Sequence, residues 1–293
     1  MPSMIFSTSR VLPWLLIAPN LAIAIVCVLI PTGRLLIDAF APTGVLDFTP
    51  LATLLTDPQF GHIMTLTTAL GGCVTLTGTA IGLCFSLLLA NTAHAGLYRN
   101  ALIWPYAVAA PIAGVLWLAL TLPMFDGDPS GPLPRALTAI GWQWPQTLSG
   151  LETMALIATV CAWRQTGLAI LLLTAALTIP SPTLYEAARL DGVPRRQQFF
   201  LITLPSIRPT LWLLLIGGFL STTFESFGVT HSIILSGAAG TNATPSLLIH
   251  HIFLASQTTT PAPDAALQSV VLLTMTAALM WTQWRLFAPN AIK

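Results

Sequence analysis

Apolar residues dominate the chain in six long stretches, at about 11–30, 63–90, 101–122, 153–179, 209–235 and 265–284, separated by segments that hold most of its charge. A helix needs about 20 apolar residues to cross the hydrocarbon core of a bilayer. The strands of a membrane β-barrel would be about ten residues long and alternate in polarity. These stretches are longer and continuous, so they predict helices. The pattern as a whole predicts an all-α, polytopic membrane protein with six transmembrane helices in a single domain over 1–293. The first stretch follows Arg10 and exceeds the 7–15 apolar residues of a cleavable signal core. No A-x-A-like site follows it, so it reads as a retained first span.

The polar segments are unequal. Those at 121–135 (TLPMFDGDPSGPLPR) and 236–245 (SGAAGTNATP) are turn-rich loops. The segment between the fourth and fifth spans, 179–209, reads as two short helices. Pro182 suits a first helical turn, and Thr183 with Glu186 has capping-box spacing. Asp191-Gly192 ends that helix, because Gly accepts the left-handed conformation at low cost. Pro194 opens a second helix with an apolar face of Phe199, Phe200 and Ile202. Pro205 and Pro209 are then expected to redirect the chain into the fifth span.

Composition strengthens the membrane reading. Charged residues make up 7% of the 293 residues and hydrophobic ones 55%, with a mean hydropathy of +0.79. A soluble domain carries about 25% charged residues. So sparse a set cannot cover a water-facing surface, which excludes a soluble enzyme, a disordered chain and a nucleic-acid-binding module. Cys27, Cys73, Cys84 and Cys161 all lie in apolar runs without metal-ligand spacing. They are expected as small buried apolar side chains, with no metal site.

The placement of charge sets the orientation. With the N-terminus inside and six spans crossed, the inner segments hold Arg10, Arg99, Arg189, Arg195, Arg196, Arg208, Arg285 and Lys293, eight of the eleven basic residues. The outer segments hold Arg34 and Arg135. This positive-inside bias puts both termini in the cytoplasm. Trp14, Trp104, Trp212, Trp281 and Trp284 fall near the inner ends of spans, where amphipathic rings settle.

Two ionisable residues interrupt the spans: Arg164 in the fourth and Glu225 in the fifth. Such residues mark a functional path by default, because burying them is costly unless they are paired or wet. Arg164 offers a planar fork that suits a phosphate. The alternative is that it pairs with Glu225 or with backbone carbonyls and fixes helix packing. Trp163 adjoins it. His231, His250 and His251 near the outer end of span five are expected to be packed or solvated. Thr65, Thr67, Thr68, Thr75, Thr77 and Thr79 are expected to hydrogen-bond to backbone or between helices. The sequence has no G-x-x-x-x-G-K-[ST] phosphate loop, no H-E-x-x-H and no G-x-S-x-G.

The helical pair at 180–208 is amphipathic and basic. On pattern alone it either lies flat on anionic lipid or docks into a cytoplasmic protein. Its residues carry more. Glu186-Ala187-Ala188, then Gly192 after three residues, then Ile202 and Leu204-Pro205 resemble the signature of the membrane-spanning subunits of binding-protein-dependent ABC importers. Trp163, Gly167, Leu177-Thr178-Ile179-Pro180, and Trp104-Pro105-Tyr106-Ala107-Val108 with Pro111 and Trp117 are similar to the carbohydrate-type branch. PYAVAAPIAGVLW (105–117), FESFGV (224–229) and QSVVL (268–272) narrow the likeness to A-type permeases of sn-glycerol 3-phosphate importers. One departure is the run 235–240, LSGAAG, where the branch often has T-x-G-G-P.

That resemblance implies a type I ABC importer permease fold in the inner (cytoplasmic) membrane. It further implies that the chain forms half of a translocation path, with sn-glycerol 3-phosphate as solute and a neutral sugar or polyol as the alternative. The loop would couple to an ATPase through Glu186, Ala187, Ala188, Asp191, Gly192, Leu204 and Pro205. Partners would be a second related permease, two ATPase subunits, a substrate-binding protein and membrane lipid, with no nucleic acid. The chain itself would bind no cofactor, ATP and magnesium belonging to the ATPase subunits. Arg164, Glu225 and Trp163 are the candidate substrate path. A secondary transporter coupled to protons through Glu225 or Arg164 is the rival class, and an intramembrane enzyme a remote third.

Overall fold

The computed structural model describes residues 11–41, 44–90, 92, 95–121, 131–141, 150–235, 247–257 and 263–287. Among them every regular element is helical. In chain order these are α1 (Val11–Ala24), a π-turn (Ile25–Leu29), α2 (Ile30–Phe40), α3 (Thr49–Thr56), α4 (Pro58–Leu89), α5 (Ala95–Ala107), α6 (Ala110–Thr121) and α7 (Pro132–Ala139). Then follow α8 (Gly150–Ala176), α9 (Pro182–Leu190), α10 (Arg195–Gln198), a second π-turn (Phe199–Thr203), α11 (Leu204–Leu235), α12 (Leu248–Ser256) and α13 (Pro263–Phe287).

Five helical runs are long and apolar enough to cross a membrane: Leu16–Phe40, Pro58–Leu89, Gly150–Ala176, Arg195–Leu235 and Asp264–Leu286. The α5–α6 pair makes a sixth if it counts as one span. The chain is a multi-pass membrane protein. Span three, expected as one helix over 101–122, is instead two helices meeting at 102°. Pro111, second in α6, has no N–H to donate back into α5, so it opens a new helix rather than extending the old one.

The loop after span four also differs from expectation. Ser181, not Thr183, caps α9 by accepting the Thr183 N–H. Pro205 and Pro209 redirect nothing, because the helix runs on from Arg195 to Leu235 over 41 residues. In a continuing α-helix a proline presses its ring on the carbonyl four residues back. For Pro205 that carbonyl belongs to Leu201, inside the Phe199–Thr203 π-turn. For Pro31 it belongs to Cys27, inside the Ile25–Leu29 π-turn. Each wider turn absorbs its proline, and the helix is not broken.

The chain divides into two compact units. One holds 1–57 and 252–274. In it Asp47 accepts the backbone N–H and the hydroxyl of Thr49 at 2.9 and 2.6 Å, starting α3. Those two bonds, the hydroxyl's first, hold the Asp47 carboxyl below the usual range. Phe40 and Phe48 stack obliquely at 5.2 Å.

The other unit holds 58–251 and 275–293, and α8 is its centre, packed on α4, α5 and α11. The core joins Leu70 and Val74 of α4, Ala113 of α6, Ile157 and Val160 of α8 and Val229 and Ile233 of α11. A second cluster joins Ala169, Leu173, Ile207 and Leu214. Close approach explains the small residues at these crossings. A Cβ on Gly167 of α8 would lie 3.0 Å from both the Ile103 carbonyl and the Tyr106 nitrogen of α5. Gly78 and Gly82 of α4 meet Gln165 and Ala169 of α8 one turn apart.

Some buried-residue expectations need correction. Cys161 is buried, but Cys27, Cys73 and Cys84 are exposed on apolar helix faces, since a membrane protein keeps apolar residues outward as well as inward. Thr65, Thr67, Thr68 and Thr77 bond to carbonyls of their own helix. Thr75 and Thr79 do not; their hydroxyls are buried without a partner.

Candidate functional site

Arg164 sits mid-helix on α8, 6% exposed. Its guanidinium is already occupied. Nε donates to the Val108 carbonyl at 2.8 Å, and Nη1 forms an ion pair with Glu225 of α11. Val108 lies in the break between α5 and α6, and among the described residues no backbone N–H donates to its carbonyl. The arginine therefore satisfies an acceptor that the bend exposes and joins α8, the broken span and α11. Of the alternatives open in the sequence, the structure shows the pairing with Glu225 and with backbone. The fork is not turned toward a free anion. The Glu225 side chain is 39% exposed, so one face of the pair is open.

Trp163, next to Arg164, points elsewhere. It packs edge-on against Trp104 of α5 at 5.9 Å and Trp117 of α6 at 5.8 Å. The three rings line an open cavity of about 560 Å³ together with Phe85 and Thr166. Further toward the C-terminal end of α11, His231 stacks on Phe227 at 5.4 Å, and His250 of α12 lies 6.3 Å from both rings. Burial lowers the His250 pKa from the ordinary value, and His231 and His251 push it the same way. The start of α12 is held by another helix: the Leu248 N–H donates to Thr67 Oγ1 of α4 at 2.9 Å. Among the described residues no cluster of three His, Cys, Asp or Glu could hold a metal.

The second group of predicted residues lies on α9. Glu186, Ala187, Asp191 and Gly192 are exposed, and Ala188 is half-buried. The helix ends in a Schellman turn, with Gly192 N–H donating to Arg189 O at 3.1 Å and Val193 N–H to Ala188 O at 2.9 Å. Gly192 has φ +72, a backbone that only Gly adopts cheaply. Leu190, at 89% exposure, is an apolar side chain standing in the open beside it. Leu204 and Pro205 are not beside α9 in sequence order but begin α11. Gln198 Nε2 donates to Val193 O at 2.7 Å, and Tyr185 OH and Thr203 Oγ1 are 2.8 Å apart, which ties the two parts together.

Sequence reading missed three features. The contact of Arg164 with the Val108 carbonyl, 56 residues away in sequence, has no local signature. The Gly78-x-x-x-Gly82 spacing is a helix-packing signal. The Tyr185–Thr203 bond, 18 residues apart, has no local signature. The departure at 236–240 lies outside the described residues.

A chain with this arrangement of broken third span, continuous fifth span and protruding helix has the fold of a membrane-spanning subunit of an ABC importer. It matches a solved bacterial ABC transporter involved in the import of the acidic polysaccharide alginate, with a TM-score of 0.77 and 20% identity over 94% of this chain and 96% of that one. The alginate transporter in complex with its alginate pentasaccharide-bound periplasmic protein gives a TM-score of 0.76, at 20% identity over 93% and 92%. No protein-family model matches. In sequence the chain is similar to the sn-glycerol-3-phosphate transport system permease protein UgpA of Rhizobium meliloti, 29% identical over 289 residues and 94% of each chain. The corresponding proteins of Agrobacterium fabrum and Brucella abortus are 29% and 27% identical, over 97% and 94% of each chain.

Proposed function

We propose that the chain is one of two membrane-spanning subunits of an ATP-driven, binding-protein-dependent importer, and that its solute is sn-glycerol 3-phosphate. It sits in the inner membrane with both termini and α9 on the cytoplasmic side, an orientation that the distribution of basic residues supports. The observation that carries the class is α9, which presents Glu186-Ala187-Ala188 and the φ +72 turn at Gly192 on an exposed helix at the base of a long span. The likeness to sn-glycerol-3-phosphate permeases over 94% of the chain supports the solute.

In this reading α9 moves with the ATPase subunits, which bind ATP and magnesium. A second, related permease completes the path, and a binding protein delivers the solute. From Thr203 to Glu225 one continuous helix spans about 33 Å. It delivers the displacement to the Arg164–Glu225 pair and so to the break at Val108. The pair is thus a joint between moving helices.

One observation favours a second solute. Two edges of the Arg164 guanidinium are taken by Val108 and Glu225, and a neutral sugar or polyol needs no cation in the path. Uptake of labelled sn-glycerol 3-phosphate in cells with and without the gene separates the two, with unlabelled maltose and glycerol as competitors. Loss of uptake on deletion, with competition by neither, is expected. Unchanged uptake in cells lacking a second route overturns the solute and leaves the importer class.

A further inference from the structure

α9 is nearly bare. Of its nine residues, Tyr185 and Ala188 are half-buried and the rest are exposed. A helix this short has little stability of its own. Whatever aims it must therefore act through its few attachments. The hydrogen bond that ties it to the membrane helix joins Tyr185 OH to Thr203 Oγ1 at 2.8 Å.

Thr203 is unusual among the threonines of this chain. Thr68, Thr77, Thr166 and Thr174 each donate to the carbonyl four residues back on their own helix. The Thr203 hydroxyl, on a buried residue, faces Tyr185 instead. Thr203 is also the last residue of the π-turn Phe199–Thr203. Single π-turns inside α-helices concentrate at functional sites, and this one lies where Pro205 weakens the α-helical bonding. The tyrosine therefore grips the span at its π-turn.

We propose that the Tyr185–Thr203 bond is the strut through which displacement of α9 bends the Arg195–Leu235 helix, and that both are positioning residues for import. This rests on the importer reading above. The phenol ring sets the distance, and the hydroxyl pair sets the direction of pull. Without the bond α9 stays attached through the backbone at 191–194 and the Gln198–Val193 bond, but its motion is lost in that turn.

The test uses the assembled importer, purified through a tag on this chain and reconstituted in vesicles with its binding protein. sn-Glycerol 3-phosphate imported per ATP hydrolysed is measured, alongside the amount of co-purified ATPase. Tyr185→Phe and Thr203→Val each remove one hydroxyl; Thr203→Ser keeps it. A single hydrogen bond corresponds to roughly a three- to tenfold fall in solute imported per ATP. That fall is expected for the first two variants, with Thr203→Ser close to wild type and the double variant no worse than either alone. An unchanged ratio for Tyr185→Phe overturns the strut. Loss of the ATPase from the purified Tyr185→Phe complex also overturns it, since the bond would then be needed for assembly rather than for transmission. A wild-type chain that purifies without any ATPase overturns the importer reading itself and the strut with it; one that keeps its ATPase but imports no sn-glycerol 3-phosphate overturns the solute alone, and the same ratio is then read with a labelled neutral sugar or polyol.

Discussion

At the scale of single residues, Arg164 has two obligations, and they differ in weight. The Val108 carbonyl has no alternative partner once α5 has ended, and Arg164 itself is almost wholly buried. Glu225 is partly exposed and can be solvated. Truncating the arginine therefore leaves an orphaned carbonyl and an unpaired carboxylate, whereas neutralising the glutamate leaves an amide that still accepts a bond. Arg164→Ala should cost about 3–5 kcal/mol of stability, the range for breaking a buried pair. Glu225→Gln should cost about 1–2 kcal/mol. Thermal unfolding of the purified chain in detergent measures both. A double-mutant cycle between Arg164→Ala and Glu225→Ala should show non-additivity of at least about 0.5 kcal/mol. Equal costs for the two single variants would mean that the carbonyl contact contributes nothing. Gly167 sits under a stricter constraint, since its neighbours are backbone atoms of α5. Gly167→Ala should destabilise by about 1–3 kcal/mol through overpacking.

Elements carry consequences that no single side chain does. α9 is positioned by a left-handed turn at Gly192, and a side chain there costs about 1–2 kcal/mol in backbone strain. Gly192→Asp should abolish uptake while the protein still inserts in the membrane, read by labelled solute uptake and by immunoblot of membranes. Normal uptake would remove Gly192 from coupling. α12 has a different sensitivity. Its His250 is buried and neutral in the fold, with its pKa depressed below the unfolded value of about 6.5. A group whose neutral form the fold prefers stabilises at high pH. That stability is lost as pH falls through 6.5, and the loss is complete below the depressed native value. Hydrogen exchange at 248–256, corrected for intrinsic rates, should therefore speed up between pH 7.5 and 5.5. His250→Gln should remove that dependence. These elements also show what the sequence made legible. Gly192 was readable because turn chemistry is local, and the six spans because hydropathy is cumulative over twenty residues. The bend at Val108 and the continuity through Pro205 were not, because both depend on how the backbone near a proline is accommodated. Arg164 takes up a carbonyl within the break in one case, and a π-turn makes room for the ring in the other. The Arg164–Glu225 pair stood in the sequence as one alternative of two; choosing between them needed the packing of α8 against α11.

For the whole molecule, the question is where the energy enters. A secondary transporter would take it at an ionisable group inside the membrane, and Glu225 is the acidic residue well inside a span, whereas Asp38, Glu152 and Asp264 lie within two residues of a span's end. Its carboxylate, however, is already held in an ion pair with Arg164. A proton carrier would have to break that pair at each cycle, leaving the buried guanidinium bonded to the Val108 carbonyl without its carboxylate. An importer driven from α9 has no such need: the helix from Arg195 to Leu235 can shift while the pair stays closed. The two designs respond oppositely to the proton gradient. In energised cells, uptake through this chain should survive a protonophore as long as ATP is maintained. It should disappear when the partner ATPase is inactivated, though the gradient is intact. Glu225→Gln should then lower the rate through loosened packing and leave the pH profile of uptake unchanged. Uptake that collapses with the gradient at constant ATP, or a pH profile that shifts in Glu225→Gln, would place the energy input at Glu225 instead.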